Sequence, residues 1–212
     1  MRTLKTFDLV RAETEIRRSR FIVSLHRVDC EDAARRFFCE VRKEFGDATH
    51  NCTAFIVRTD GNPIERSSDD GEPSGTAGAP MLEALRGAHV VDCAAVVTRY
   101  FGGIKLGTGG LVRAYTQAVQ TGLDSAQFVR LEEREIWAVA LKHGEAGKVE
   151  AALRGTGWVL GESTYGTRVV TLRAIIHAAD AAKLVAQVES LSRGRARVTC
   201  EQTTIAEISQ TR

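Results

Sequence analysis

Apolar residues recur along this chain at two periods, and the switches between those periods lay out its elements. From 14 to 28 the spacing is that of a strand. Ile16, Arg18 and Arg20 run out of phase with Phe21, Val23 and Leu25, which predicts a bulge or register change near Ser19. Asp29 is expected to N-cap a helix reaching Phe45, with Asp32 in its first turn and Ala34, Phe37, Phe38, Val41 and Phe45 on one face. Gly46 ends it. Residues 51–57 and 64–66 read as a hairpin across the turn Asp60-Gly61-Asn62-Pro63, and 67–79 as an irregular loop long enough to carry function. Pro80 suits the first turn of a helix to about Gly87. A central strand follows from 90 to 100, then a long helix from Leu111 to about Phe128.

Around 129–133 the order of elements starts afresh, which sets the expected boundary between a domain at 1–130 and one at 131–212. In the second, strands at 135–142, 158–164, 168–176 and 196–208 alternate with helices at 146–153 and 181–191. That β-α-β-β-α-β order is the ferredoxin-like arrangement, and the expected class is α+β in two domains.

Composition narrows the function classes. The 212 residues are 43% hydrophobic and 26% charged, ordinary for a globular protein, and the formal charge of +2 requires any nucleic-acid contact to come from a local patch. No run approaches the roughly 18 apolar residues of a membrane span, and the first eight residues lack a signal-peptide core, so no membrane partner and a cytoplasmic location are expected. Five cysteines, with no C-x-x-C pair, serve neither a disulfide framework nor a zinc cluster.

The chemistry concentrates in two glycine-rich segments. The run 96–115 passes from strand through a loop holding Gly102, Gly103, Gly107, Gly109 and Gly110 into a helix. Arg99, Lys105 and Arg113 are the sole charges between Asp92 and Asp124, and all are cationic. Free amides at a helix start, together with those cations, describe an anion-receiving loop; sharp turning and close packing explain the glycines equally well. The spacing matches neither a P-loop nor a dinucleotide fingerprint. In the second segment, 68–78, Asp69, Asp70 and Glu72 could hold magnesium or serve, with His50, as acid and base. The alternative is that they cap turns or pair with the cations. Arg193, Arg195 and Arg197 would line one side of an extended chain as a phosphate strip, or else form a solvated connection.

Four motifs, Ser19-Arg20-Phe21-Ile22, Asp47-Ala48-Thr49-His50-Asn51-Cys52, the run 68–78 and the run 97–107, resemble those of the IMPACT family in its bacterial, YigZ-type branch. Departures are small: Thr108 stands where alanine is usual, Ala79 where a basic residue commonly precedes the proline, and Arg20 in place of lysine. The resemblance implies a first domain folded like the second domain of a small-subunit ribosomal protein and domain four of elongation factor G. It implies a ferredoxin-like second domain akin to that factor's domain five. Those relatives touch ribosomes and RNA, and eukaryotic members of the family influence translation through partner proteins. The expected function is therefore nucleic-acid or ribosome binding in translation regulation, with RNA, the ribosome or translation-related proteins as partners, no cofactor and no secured enzyme activity. The alternative is a magnesium-dependent nucleotide- or phosphate-binding enzyme performing phosphoryl transfer or hydrolysis.

Overall fold

The computed structural model describes residues 1–208 and is α+β, its contacts dividing the chain into Met1–Arg130 and Leu131–Ile208. In the first unit, β1 (Arg2–Leu4) pairs with residues 128–130, an element without a sequence signal. The strands β2 (Val10–Ile16), β3 (Ser19–Arg27), β4 (His50–Val57), β5 (Ile64–Ser68) and β6 (Cys93–Tyr100) form one antiparallel sheet in the order β2-β3-β6-β4-β5. Helix α1 (Glu31–Glu44) covers one face; α2 (Gly78–Gly87) and α3 (Thr108–Asp124) cover the other.

Being covered on both faces explains why the central strand is nearly continuously apolar. Ala94 and Val96 point toward α1, where Phe55, Val57, Ala34, Phe37 and Val41 meet them. Cys93, Ala95 and Val97 point the other way, onto Met81 and Leu85 of α2 and Leu111, Tyr115 and Val119 of α3. Strand periodicity of two places successive residues on opposite faces, so both sets must be apolar.

Three local expectations are corrected here. No bulge lies near Ser19: the chain reverses there, Ile16 facing Ser19 across a two-residue turn whose Arg17 (φ 47°) and Arg18 (φ 65°) are both left-handed. The phase change in the sequence is the passage from one strand to the next. The N-cap of α1 is Cys30, not Asp29, and it makes no side-chain cap; Glu31 and Asp32 supply the favourable negative charge in the first turn. Helix α3 begins at Thr108 and ends at Asp124, so Gly109 and Gly110 belong to its first turn and not to the loop before it.

The second unit contains β7 (Phe128–Lys142, from residue 131 on), α4 (His143–Arg154), β8 (Val159–Leu160), β9 (Thr164–Tyr165), β10 (Val169–Ile176), α5 (Ala181–Ser192) and β11 (Arg197–Ile208). β10 lies antiparallel beside β7, with β8 and β9 on its outer edge and β11 on the far side of β7, which is the ferredoxin-like order. Its core is Val139, Leu141, Val149, Leu153, Leu172, Ile176, Leu184 and Val188. The single strand expected over 158–164 is two short pieces, because the ladder breaks after Leu160, where Gly161 donates to the Arg173 carbonyl. Among the described residues no helix is long and apolar enough to cross a membrane.

Candidate functional site

The motifs around 47–52 and 68–78 are two halves of one lock. Asp70 Oδ2 accepts from the Asn51 amide at 2.7 Å, its carbonyl meets His50 Nδ1 at 2.8 Å, and its Oδ1 takes Arg42 Nη2 at 3.0 Å. Asn51 Oδ1 in turn accepts from Thr98 Oγ1 at 2.6 Å. Asp69 spends its carboxylate on three amides of its own loop: Gly75 at 2.8 Å, Ala77 at 3.0 Å and Gly78 at 2.8 Å. Burial pushes that carboxyl upward, but the three N–H donors outweigh it and hold it below the usual range. The loop is thereby folded back on the sheet edge, and Glu72 is carried inward.

Glu72 is the centre of a buried network. Its Oε1 accepts from Arg99 Nη1 at 2.6 Å and from the Tyr115 hydroxyl at 2.8 Å. The Arg99 and Glu72 side chains are only 6% and 3% exposed. Cys52 Sγ lies 3.3 Å from the Tyr115 oxygen and 3.0 Å from the Asp69 carbonyl. Burial first, then the nearby carboxylates, pushes the Cys52 thiol up to about 12, and burial likewise raises the Tyr115 phenol, so both keep their protons at neutral pH. Arg99 Nη2 reaches Ser19 Oγ at 3.4 Å, while Arg99 Nε is buried without a partner. An orphaned buried donor costs about 1–3 kcal/mol. His50 Nε2 stands 3.8 Å from Glu72 Oε2, too far for a hydrogen bond.

Arg99, expected as a loop cation, is therefore corrected to the floor of the site. The three carboxylates diverge onto backbone amides, Arg42 and Arg99, and among the described residues no group of three His, Cys, Asp or Glu side chains is arranged to hold a metal ion. All five cysteines are free thiols.

Above this floor opens a cleft of about 400 Å³, lined by Thr49, His50, Glu72, Pro73, Arg99, Phe101, Lys105, Leu106, Gly107, Thr108 and Leu111. The two glycine-rich segments thus meet, one from each side. Phe101, Lys105, Gly107, Thr108 and Gly109 are exposed. The first bond of α3 is from the Leu111 amide to the Gly107 carbonyl at 2.9 Å, which leaves the amides of Thr108, Gly109 and Gly110 without intrahelical acceptors. Gly107 (φ 73°) allows the backbone to turn into the helix, and Gly103 (φ 83°) shares the left-handed conformation. Gly102 has a different purpose: a Cβ there would lie 2.0 Å from the Arg18 carbonyl oxygen, so the loop rests directly on the β2–β3 turn. Arg113 faces away from the cleft. It donates to the Gly109 carbonyl at 3.2 Å and lines a smaller hollow with Ile16, Arg17, Leu106 and Gly110.

The arginine strip in the second unit does not form. Arg193 (φ 53°) caps α5 in the left-handed region, Gly194 donates to the Glu189 carbonyl, and Arg195 pairs with Glu145; only Arg197 enters β11. The helix cap takes precedence over the extended chain that alternation required. Sequence reading gave Tyr115, Ser19 and Arg17 no role in the site, although Tyr115 closes the singled-out run 96–115 and Ser19 opens the first of the four motifs.

Comparison with known proteins places this geometry. A model of the Impact N-terminal domain matches residues 17–123, a stretch that holds every cleft residue. The IMPACT family member YvyE of Bacillus subtilis is 44% identical over 157 residues, covering 74% of this chain and 72% of that protein. YigZ of Escherichia coli is 39% identical over 181 residues, covering 85% and 88% respectively. A crystal structure described as that of a hypothetical protein, 35% identical, superimposes with a TM-score of 0.60 over 95% of this chain and 97% of its own.

Proposed function

Because this chain belongs to the IMPACT family, we propose that it acts in the regulation of translation by binding RNA or the ribosome through the glycine loop and the start of α3. The translation role is what membership implies. The observation that carries the contact is local: Lys105 and Arg113 are exposed on either side of a helix start whose first amides lack helical acceptors. Helix dipole, free N–H groups and two cations favour a phosphate there. Arg17, in the turn beneath, adds a third cation to the Arg113 side. Arg99 does not contribute, since Glu72 neutralises it inside the fold.

A net charge of +2 makes the contact patch-sized, so affinity should fall with salt at a slope set by few phosphates. The test is binding of single-stranded RNA and of ribosomes between low and physiological salt, with the double variant Lys105→Gln/Arg113→Gln. Removing two cations should flatten the log K against log salt slope by about 1.4 for single-stranded RNA. An unchanged slope and affinity would eliminate this loop as the contact.

A further inference from the structure

We propose that the cleft between the two glycine-rich segments seats one ribonucleoside monophosphate with a free cis-diol, and that in RNA this unit is the 3′-terminal nucleotide. The proposal rests on the reading of Lys105 and the α3 amides as a phosphate contact, and names what lies beyond the phosphate.

The cleft's two ends differ in kind. At the mouth, Lys105, Gly107 and Thr108 present a cation and the start of a helix, the seat of an anion. On the floor, Arg99 cancels the charge of Glu72, so nothing there selects a cation or a second anion. What the floor lacks is hydrogen-bond donors. His50 Nδ1 lies 2.8 Å from the Asp70 carbonyl, which can only accept, so Nδ1 carries a proton, and in that tautomer Nε2 is an acceptor. Glu72 Oε1 is committed to Arg99 and Tyr115, which leaves Oε2, also an acceptor. These two acceptors, on side chains that both line the cleft, stand 3.8 Å apart, and Glu72 is more than nine-tenths buried. Two adjacent hydroxyl groups, each donating to one of them, satisfy both.

Size and lining complete the identification. About 400 Å³ falls at the lower end of the small-ligand range of roughly 300–1,000 Å³, enough for one nucleotide unit and not for a duplex. Phe101, Pro73, Leu106 and Leu111 give the middle of the cleft an apolar wall against which a sugar and a base edge can rest. With a diol on the floor and a phosphate at the mouth, the remainder of an RNA strand leads outward from its 3′ end.

The test is a ligand series on the unaltered chain, which requires no variant to fold: a short RNA ending in a 3′ cis-diol, the same RNA with a 3′-phosphate, the same RNA with its diol opened by periodate, AMP, 2′-deoxy-AMP and inorganic phosphate. The diol-ended RNA should bind at least tenfold more tightly than either blocked form, and AMP more tightly than 2′-deoxy-AMP or phosphate. His50→Gln should erase that discrimination while leaving the salt slope in place; Lys105→Gln, on the exposed loop, should weaken every phosphate-bearing ligand. Tight AMP binding with no RNA binding supports the diol site with free nucleotide as its source and overturns the RNA reading. Equal binding of diol-ended and blocked RNA, still lost in Lys105→Gln/Arg113→Gln, overturns the diol site and leaves the loop contact standing. No binding of any member overturns both.

Discussion

Breaking the Arg99–Glu72 pair from one side should cost far more than removing it whole. With side chains 6% and 3% exposed, either charge left alone has little water to turn to. Arg99→Met strands a carboxylate with only the Tyr115 hydroxyl; Glu72→Met strands a guanidinium whose Nε already lacks an acceptor. Losing one partner of a buried pair costs about 3–5 kcal/mol, a large share of a domain stability of roughly 5–15 kcal/mol. The double variant Arg99→Met/Glu72→Met leaves no uncompensated charge, so its cost should fall to about 1–3 kcal/mol, the price of an unpaired Tyr115 hydroxyl. The assay is urea unfolding of all four chains by far-UV circular dichroism, with emission from Trp137 and Trp158 reporting separately on the second unit. The midpoint of each single variant should drop well below that of the double, and the gap should persist in high salt because buried pairs are weakly screened. Singles that each cost under about 1 kcal/mol and add in the double would show a hydrated pair and an open floor, and would refute this account of the site.

Three further outcomes follow from the same geometry. A thiol reagent should modify the exposed Cys30, Cys39 and Cys200 in the native chain, while Cys52 and Cys93, both pushed up to about 12 chiefly by burial, should react only after unfolding; early loss of a fourth thiol would contradict the burial. Asp69→Asn should lower stability at neutral pH, and the deficit should shrink on acidification: the folded carboxyl titrates below its unfolded value of about 4, so its contribution is present above that value and is lost as pH falls through the folded one. Wild-type and variant melting curves that stay equally separated down to the acid limit would exclude the three-amide cap. Gly102→Ala should destabilise by about 3 kcal/mol or more, since the new Cβ meets the Arg18 carbonyl at 2.0 Å. By contrast, Gly109→Ala, which meets nothing within 4 Å in the first turn of α3, should be neutral or slightly stabilising by thermal melt.

Elements with long periodic patterns were legible in the sequence, and so was the α+β class, because α1 and β10 repeat their apolar positions often enough to exclude the other period. What was not legible has specific causes. The β2–β3 turn carries two arginines at left-handed positions where asparagine and glycine are the usual mark, so no residue type announced it. Arg195 finds Glu145 fifty residues away, and Arg99 finds Glu72 across the sheet; a cation's partner is a property of topology and not of its neighbours in the chain. The site lay in segments singled out from sequence, yet its working parts were sorted differently, with the acids holding the loop and the arginine holding the acid.

That sorting explains why the two glycine-rich segments need each other. Asp70 ties 68–78 to β4 through the Asn51 amide while Asp69 folds the segment on itself through three of its own amides, and between them Glu72 lies in the interior. A buried carboxylate requires a cation, which Arg99 supplies from the end of β6; Tyr115 of α3 then fixes the same oxygen. The helix whose first turn borders the cleft is thereby pinned to the acidic loop one turn further along. Gly102 seats the intervening loop on the β2–β3 turn, so the amides of Thr108, Gly109 and Gly110 are held at a set distance above the floor instead of swinging with a free loop. Preorganised donors lose little entropy when an anion arrives. The charges spent inside the fold are thus what fix the position of Lys105 and the helix start, and a variant that loosens Glu72 should weaken phosphate binding at a site that it does not touch.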